Sequence, residues 1–440
     1  MKFITLLIFT ASISHTLCQE TIDAKAVTLV NHFKSGDFAA ATAMFAEELR
    51  PQIPENALSG MWDQISMQSG KLKKTSFNCS EINDSITIAY VTCEFQNQTF
   101  DFKIAFDIKQ MVMAMMPTPT HVCGVEEKTA TWIAPPYDNP EKYTFSDFEV
   151  INGEYKLPGT LTMPVENEKS TVIVFVHGSG PNDRDESAFG NKTFKDLALG
   201  FAINGFATVR YDKRTFAHKI KNPDTFNIYE EVTEDVDAVI DWISTHKQLK
   251  TKNIVVLGHS LGGMMAPYIG VNNEKVAGLI LMAGPSGKFE DLIAYQVELL
   301  ANMDGNLDKQ EKAAIKDMKR RVALVKSDFS DTTPPSDLPL SLTAAYWQSI
   351  KEIDQVSLAK NYDNPILVMN GERDYQVPMT EFERWKTELD KKETVTFVSF
   401  PKLNHLFFEG DGTPNPNEYA TPSNVPEYVI TEMIAWLDKL

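Results

Sequence analysis

The sequence predicts an α/β protein, a mostly parallel sheet covered by helices on both faces, preceded by a smaller α+β unit. Three observations carry this. Six apolar runs, at 171–176, 206–211, 253–257, 276–283, 365–369 and 394–400, are continuous rather than alternating, as in strands buried on both faces. Amphipathic stretches at 230–246, 260–269, 379–391 and 425–440 lie among them, so strand and helix alternate as in a crossover-connected sheet. The run at 253–257 passes directly into Gly258-His259-Ser260-Leu261-Gly262, a glycine-flanked serine at a strand-to-helix turn.

A chain of 440 residues suggests two or three domains at about 150 residues each. Residues 19–133 read as the small unit. Ala26, Leu29, Val30 and Phe33 form a helical stripe, Gly36-Asp37 ends it, and a further helix runs to Gly70. The period then falls to two at 85–91 and 99–106, so a strand meander with helices on one face is expected. Met111, Met113, Met115 and Met116 are expected as adaptable core. A Pro-rich linker at 134–143 follows, and the main domain is expected over 144–440. Within it, 285–364 is too long for a simple crossover and reads as an inserted helical cap. That cap is expected to wall the substrate pocket, with Tyr346 and Trp347 either in the wall or as core anchors.

Residues 1–18 read as a signal peptide: Met1-Lys2 is the basic start, 3–13 the apolar stretch, and cleavage after Cys18 leaves Gln19. A secreted or periplasmic protein is expected, without a membrane span after cleavage. A lipoprotein modified at Cys18 fits less well, because Leu17 occupies a small-residue position. The mature chain keeps Cys79, Cys93 and Cys123, an odd number that leaves a thiol unpaired. Cys79 and Cys93 flank a turn and are candidates for a cross-strand disulfide. Asn78, Asn83, Asn97 and Asn191 each open an N-x-S/T sequon.

Charge and composition narrow the function. The formal net charge of −18 disfavours nucleic acid and anionic lipid as partners. Eight histidines without Cys/His spacing predict no metal site, and no cofactor is expected.

Chemistry concentrates around Ser260. A serine on a sharp strand-to-helix turn lifts its hydroxyl above the sheet, and the helix N-terminus behind it favours negative charge. A serine hydroxyl needs a base. His405, the one histidine after Ser260, follows the last strand and is the expected base. Asp374, after the strand at 365–369, is the expected acid that holds the imidazole; Glu372 and Asp363 are weaker candidates. His177-Gly178-Ser179-Gly180 ends the strand at 171–176, and the amides of Ser179 and Leu261 are the expected oxyanion donors.

From about residue 144 onward the sequence resembles the α/β-hydrolase superfamily, and within it bacterial serine esterases. The residues that carry the likeness are HGSGPNDRDE at 177–186, RYDKR at 210–214, GHSLGG at 258–263, GERDYQV at 371–377 and LNHLF at 403–407. The N-terminal unit resembles the α+β domain of unknown function, nuclear-transport-factor-like or cystatin-like, that often precedes them. The resemblance implies hydrolysis of a small-molecule carboxylic ester, with a short acyl chain expected, through an acyl-enzyme. A serine aminopeptidase or acyltransferase would use the same residues, and a ligand-binding protein with a silent hydrolase domain is the alternative of another class. Where the family has a glycine-rich turn after Arg214, this chain has Thr215-Phe216-Ala217-His218, which is expected to alter substrate access.

Overall fold

The computed structural model describes residues 21–83, 86–124, 132–166, 169–250 and 252–440. The expected signal peptide and residues 84 and 85 of the Asn83 sequon lie outside them. The N-terminal part begins with helices α1 (Ile22–Ser35), α2 (Phe38–Ala43) and α3 (Glu55–Ser69). Thr21 caps α1 by accepting the Ala24 N–H, and Gly36 ends it at φ 76°. Strands β1 (Leu72–Asn83), β2 (Ile86–Phe95), β3 (Thr99–Phe106) and β4 (Val112–Thr118) form an antiparallel meander in chain order. Phe33, Val91, Cys93 and Phe102 share its core with the helices, so the covered face predicted from the period-two runs is present.

Two expectations for this part need correction. The methionines are not core: Met113 and Met116 on edge strand β4 are 42% and 54% exposed, while Met115 packs partly against the core. The disulfide joins Cys79 to Cys123, and Cys93 is a buried free thiol. A register shift between Phe77 and Cys79 sets Cys79 opposite Tyr90. Tyr90 and Cys93 lie three apart on β2, hence on opposite faces. Cys79 therefore faces away from the helices, and Cys93 faces into them.

The second part is an eight-stranded sheet in the order β14-β13-β12-β11-β7-β10-β6-β5. Its hairpin, β5 (Tyr143–Asn152) and β6 (Tyr155–Pro164), is antiparallel and was absent from the sequence reading, because neither strand is a continuous apolar run. The predicted runs supply β7 (Thr171–Val176), β10 (Ala207–Tyr211), β11 (Asn253–His259), β12 (Val276–Met282), β13 (Ile366–Gly371) and β14 (Val395–Phe400), all parallel. A short ladder, β8 (Ser187–Ala188) with β9 (Asn191–Lys192), follows β7. On β7, Val172, Val174 and Val176 enter one core while Ile173 and Phe175 enter the other, so both faces are buried. Helices α6 (Glu234–Thr245), α7 (Leu261–Asn272) and α12 (Met379–Glu388) cover the first face; α4 (Thr193–Ile203) and α13 (Glu427–Leu437) cover the second. The one-turn helix α5 (Arg214–Ala217) follows β10.

Between β12 and β13 lie α8 (Phe289–Ala301), α9 (Lys309–Lys326), α10 (Ala344–Lys351) and α11 (Gln355–Asn361). Tyr346 and Trp347 on α10 are core anchors: both are buried, with the tyrosine hydroxyl on Glu231 Oε2 at 2.6 Å and the indole N–H on the Pro339 carbonyl at 3.1 Å. This segment also carries the N-terminal part. Gln96 and Asn97 donate to the Ala301 and Leu300 carbonyls at the end of α8, groups that a helix terminus leaves without partners. Ser341 donates to Asp63 at 2.9 Å, and Lys71 pairs with Asp308 at 2.8 Å. Three sequon asparagines are engaged by the fold, Asn97 here, Asn191 on the Tyr419 carbonyl and Asn78 on Asp101 and the His121 carbonyl. Among the described residues, no helix is long and apolar enough to cross a membrane.

Candidate active site

Ser260 stands between β11 and α7 at φ 52° and ψ −116°. A side-chain-bearing residue there costs roughly 1–3 kcal/mol, and the turn aims its hydroxyl away from the sheet. The tight approach requires Gly262, where a Cβ would collide with the Val176 carbonyl on β7. The Ser260 N–H donates to the Met282 carbonyl at 2.9 Å, locking the turn against β12.

His405 and Asp374 come from the loops after β14 and β13. His405 Nδ1 lies 2.7 Å from Asp374 Oδ2. Asp374 Oδ1 accepts the amides of Gln376 and Val377, both at 2.8 Å, so the carboxylate is held at both oxygens. Asn404 shapes the histidine loop by accepting the Leu406 and Phe408 amides, both at 3.1 Å. Ser260, His405 and Ser179 line one cavity of about 1130 Å³.

Two amides of the loop 177–180 are committed to carboxylates. Gly178 N–H donates to Glu186 Oε1 at 2.7 Å and Gly180 N–H to Glu231 Oε1 at 3.0 Å. Among the described residues, no hydrogen-bond acceptor is found for the amides of Ser179 and Leu261.

The charged motifs around this loop form a clamp that the sequence reading did not assign. Lys213 Nζ donates to the carbonyls of Gly178 (2.8 Å) and Gly180 (3.0 Å) and to Glu231 Oε1 (2.6 Å). Arg184 grips Asp212 with two bonds of 2.9 Å, and Arg210 pairs with Asp185. Glu186 Oε2 lies 2.9 Å from His259 Nδ1, and His259 Nε2 lies 2.9 Å from the His405 carbonyl. Burial opposes charge on both partners, but their attraction prevails: His259 is raised and Glu186 lowered from their ordinary values. His177 differs: burial drives it down to about 4, so it is a neutral packing residue against Phe194 and Tyr211. The presence of these charges in HGSGPNDRDE and RYDKR was visible; their pairing across the fold was not.

The cavity walls differ from expectation. No residue of 285–364 lines the cavity; Gln98, Lys103 and 116–122 of the N-terminal part do. The cap forms the platform on which those residues are carried. The loop 215–218 is also elsewhere: Phe216 is 54% exposed, and His218 Nε2 hydrogen-bonds with the Lys156 carbonyl. Its altered sequence does not shape the cavity.

A doubly covered parallel sheet with a strained serine after β11 and a histidine–carboxylate pair on later loops defines the α/β-hydrolase class. Residues 167–411 match the family described as serine aminopeptidase, S33, and residues 26–115 match a domain described as a protein of unknown function. The chain is 31% identical over 421 residues to the esterase EstD of Thermotoga maritima, covering 95% of each. Solved structures with a similar layout include Est1E from Butyrivibrio proteoclasticus, 15% identical with a TM-score of 0.43, covering 67% of this chain and 99% of that one. Another is the Pyrococcus furiosus esterase Pf2001, 14% identical with a TM-score of 0.43, covering 71% of this chain and 98% of that one. The chain belongs to the α/β-hydrolase superfamily, in the S33 family, and to the esterases within it.

Proposed function

We propose that this esterase cleaves its ester through an acyl-enzyme on Ser260, His405 and Asp374. The observation that carries the reading is the shared cavity: Ser260 on its strained turn and His405, held by Asp374 at 2.7 Å, both open into it. Ser260 Oγ attacks the ester carbonyl and its proton passes to His405 Nε2. The amides of Ser179 and Leu261 receive the oxyanion. As the tetrahedral adduct collapses, His405 protonates the leaving alkoxide. His405 then takes a proton from water as the oxygen adds to the acyl carbonyl, and returns it to Ser260 Oγ as the second adduct collapses and frees the acid.

Short acyl esters are the proposed class to test first. A chamber of about 1130 Å³ also has room for a bulky second half of the ester, since pockets for drug-sized ligands span about 300–1,000 Å³. Export is proposed from residues 1–18, and the Cys79–Cys123 disulfide supports an oxidising destination.

The test is turnover of a chromogenic ester series by the mature protein, beside Ser260→Ala and a panel of aminoacyl amides. Loss of the serine is expected to cost on the order of a million-fold, as in the best-studied serine hydrolase. An alanine variant with near-normal turnover would overturn the assignment. Amide cleavage without ester cleavage would move the reaction to a peptidase, and silence on both would favour a binding role.

A further inference from the structure

We propose that residues 116–122 of the N-terminal part are the selectivity wall of the ester site, limiting the size of the group that sits opposite Ser260. The proposal rests on the reading of Ser260 as the nucleophile. These residues line the same cavity as Ser260 and His405, and they directly follow the stretch, 26–115, that matches a domain described as a protein of unknown function.

The segment is built to hold its shape. Asp101 is fully buried, and its Oδ2 accepts the His121 N–H at 2.9 Å and the Asn78 amide at 2.8 Å. Asn78 also donates to the His121 carbonyl at 2.8 Å. The His121 ring stacks on Tyr90 at 3.8 Å and pairs with Glu81 at 2.9 Å. Cys123, just past the segment, is tied to Cys79 on β1. Two prolines, Pro117 and Pro119, restrict the backbone further. Behind it, Gln96 and Asn97 fasten the β2–β3 turn to the end of α8.

What the segment presents is shape rather than chemistry. Met116, Pro117, Thr118, Pro119 and Val122 offer no acid or base to the reaction, and His121, which also lines the cavity, has its ring engaged by Tyr90 and Glu81. A rigid, chemically inert wall facing a nucleophile acts by exclusion, and such pockets discriminate by volume. Met116 is 54% exposed, so a change of its size alters the cavity without opening a core. The disulfide gives a second handle. Among the described cysteines Cys93 is a buried free thiol, so mild reduction acts on the Cys79–Cys123 pair.

The experiment measures labelling rates of the full mature chain with a methyl-sized and a bulky aryl-alkyl fluorophosphonate, which report the base-activated serine without requiring turnover. Met116→Trp is expected to lower the bulky-to-small rate ratio about tenfold, the scale of discrimination by pocket volume. Met116→Ala and Cys79→Ser with Cys123→Ser are expected to raise it, as is reduction of the wild type. Val122→Trp gives an independent filling variant. Each variant's final stoichiometry with the small probe reports whether its serine is still competent. Wild-type labelling at Ser260 with a rate ratio that no variant moves would overturn the wall proposal alone. A wild type that neither probe labels would overturn the nucleophile reading and the wall with it.

Discussion

Glu186 bridges the oxyanion loop and the residue before the nucleophile: one carboxylate oxygen takes the Gly178 amide at 2.7 Å and the other lies 2.9 Å from His259 Nδ1. His259 in turn contacts the His405 carbonyl at 2.9 Å. One buried ion pair thus joins the loops that carry the proposed oxyanion donor and the proposed base. Glu186→Gln removes the charge that raises His259 and weakens the Gly178 anchor. We expect kcat to fall by about ten- to a hundredfold with KM nearly unchanged, less than the 10²–10³ of deleting an oxyanion donor. Breaking a buried pair also costs about 3–5 kcal/mol of stability, visible as a lower melting temperature. Steady-state kinetics that leave kcat at the wild-type value would rule out this positioning role.

Asp374→Asn separates orientation from charge. The Gln376 and Val377 amides both donate to Asp374 Oδ1, so the asparagine must turn its oxygen toward them. Its NH₂ then faces His405 Nδ1, which becomes an acceptor, and the ring proton moves to Nε2. That nitrogen can no longer take the serine proton. The same swap in a serine protease triad lowers kcat about 10⁴-fold, and a loss of that order is expected here with the fold intact by circular dichroism. A loss below tenfold would remove Asp374 from the proposed triad.

The strands β7, β10, β11, β12, β13 and β14 were legible because burial on both faces makes each a continuous apolar run. Ser260, His405 and Asp374 were legible because chain order and strand ends locate them. The Glu186–His259 pair was not: 73 residues separate the partners, and either side chain alone is an ordinary polar residue. The cap misled because a long helical insertion suggests a lid, whereas Gln96 and Asn97 turn it into a docking platform. The disulfide misled because nearness in sequence says nothing about which face of a strand a cysteine occupies. A shift of register at β1 sent Cys79 to the face of Tyr90.

Asp196 on α4 sets a pH signature outside the active site. Its Oδ1 accepts the Trp132 indole N–H at 2.8 Å and its Oδ2 the Val425 N–H at 3.0 Å. Burial outweighs these bonds and pushes the carboxyl up from 3.8 to about 6. Between those values the folded chain binds more protons than the unfolded one, so this group's contribution falls as pH rises. The loss amounts to about 3 kcal/mol at 1.36 kcal/mol per pKa unit. The melting-temperature difference between wild type and Asp196→Asn should therefore move against the wild type from about pH 4 to pH 6 and level off above. A difference that is constant across that range, or moves the other way, would contradict the assignment.

Lys213 and Glu231 offer a measure of how the oxyanion loop is held. Lys213 Nζ joins the Gly178 and Gly180 carbonyls to Glu231 Oε1, which also takes the Gly180 amide. Both side chains are buried. Lys213→Met strands the glutamate charge among buried groups, at about 3–5 kcal/mol, and frees the loop's carbonyls. Glu231→Gln alone keeps an acceptor for Lys213 but leaves its charge unbalanced. In the double variant neither charge remains, so its loss of stability should be smaller than the two single losses added together. The coupling is expected at about 0.5–3 kcal/mol, the range for directly contacting residues. Activity should not recover in parallel, because the double variant still lacks the ammonium that spans Gly178 and Gly180. Additive stabilities would mean that the two charges are solvated independently. Restored kcat in the double variant would mean that the loop keeps its shape without them.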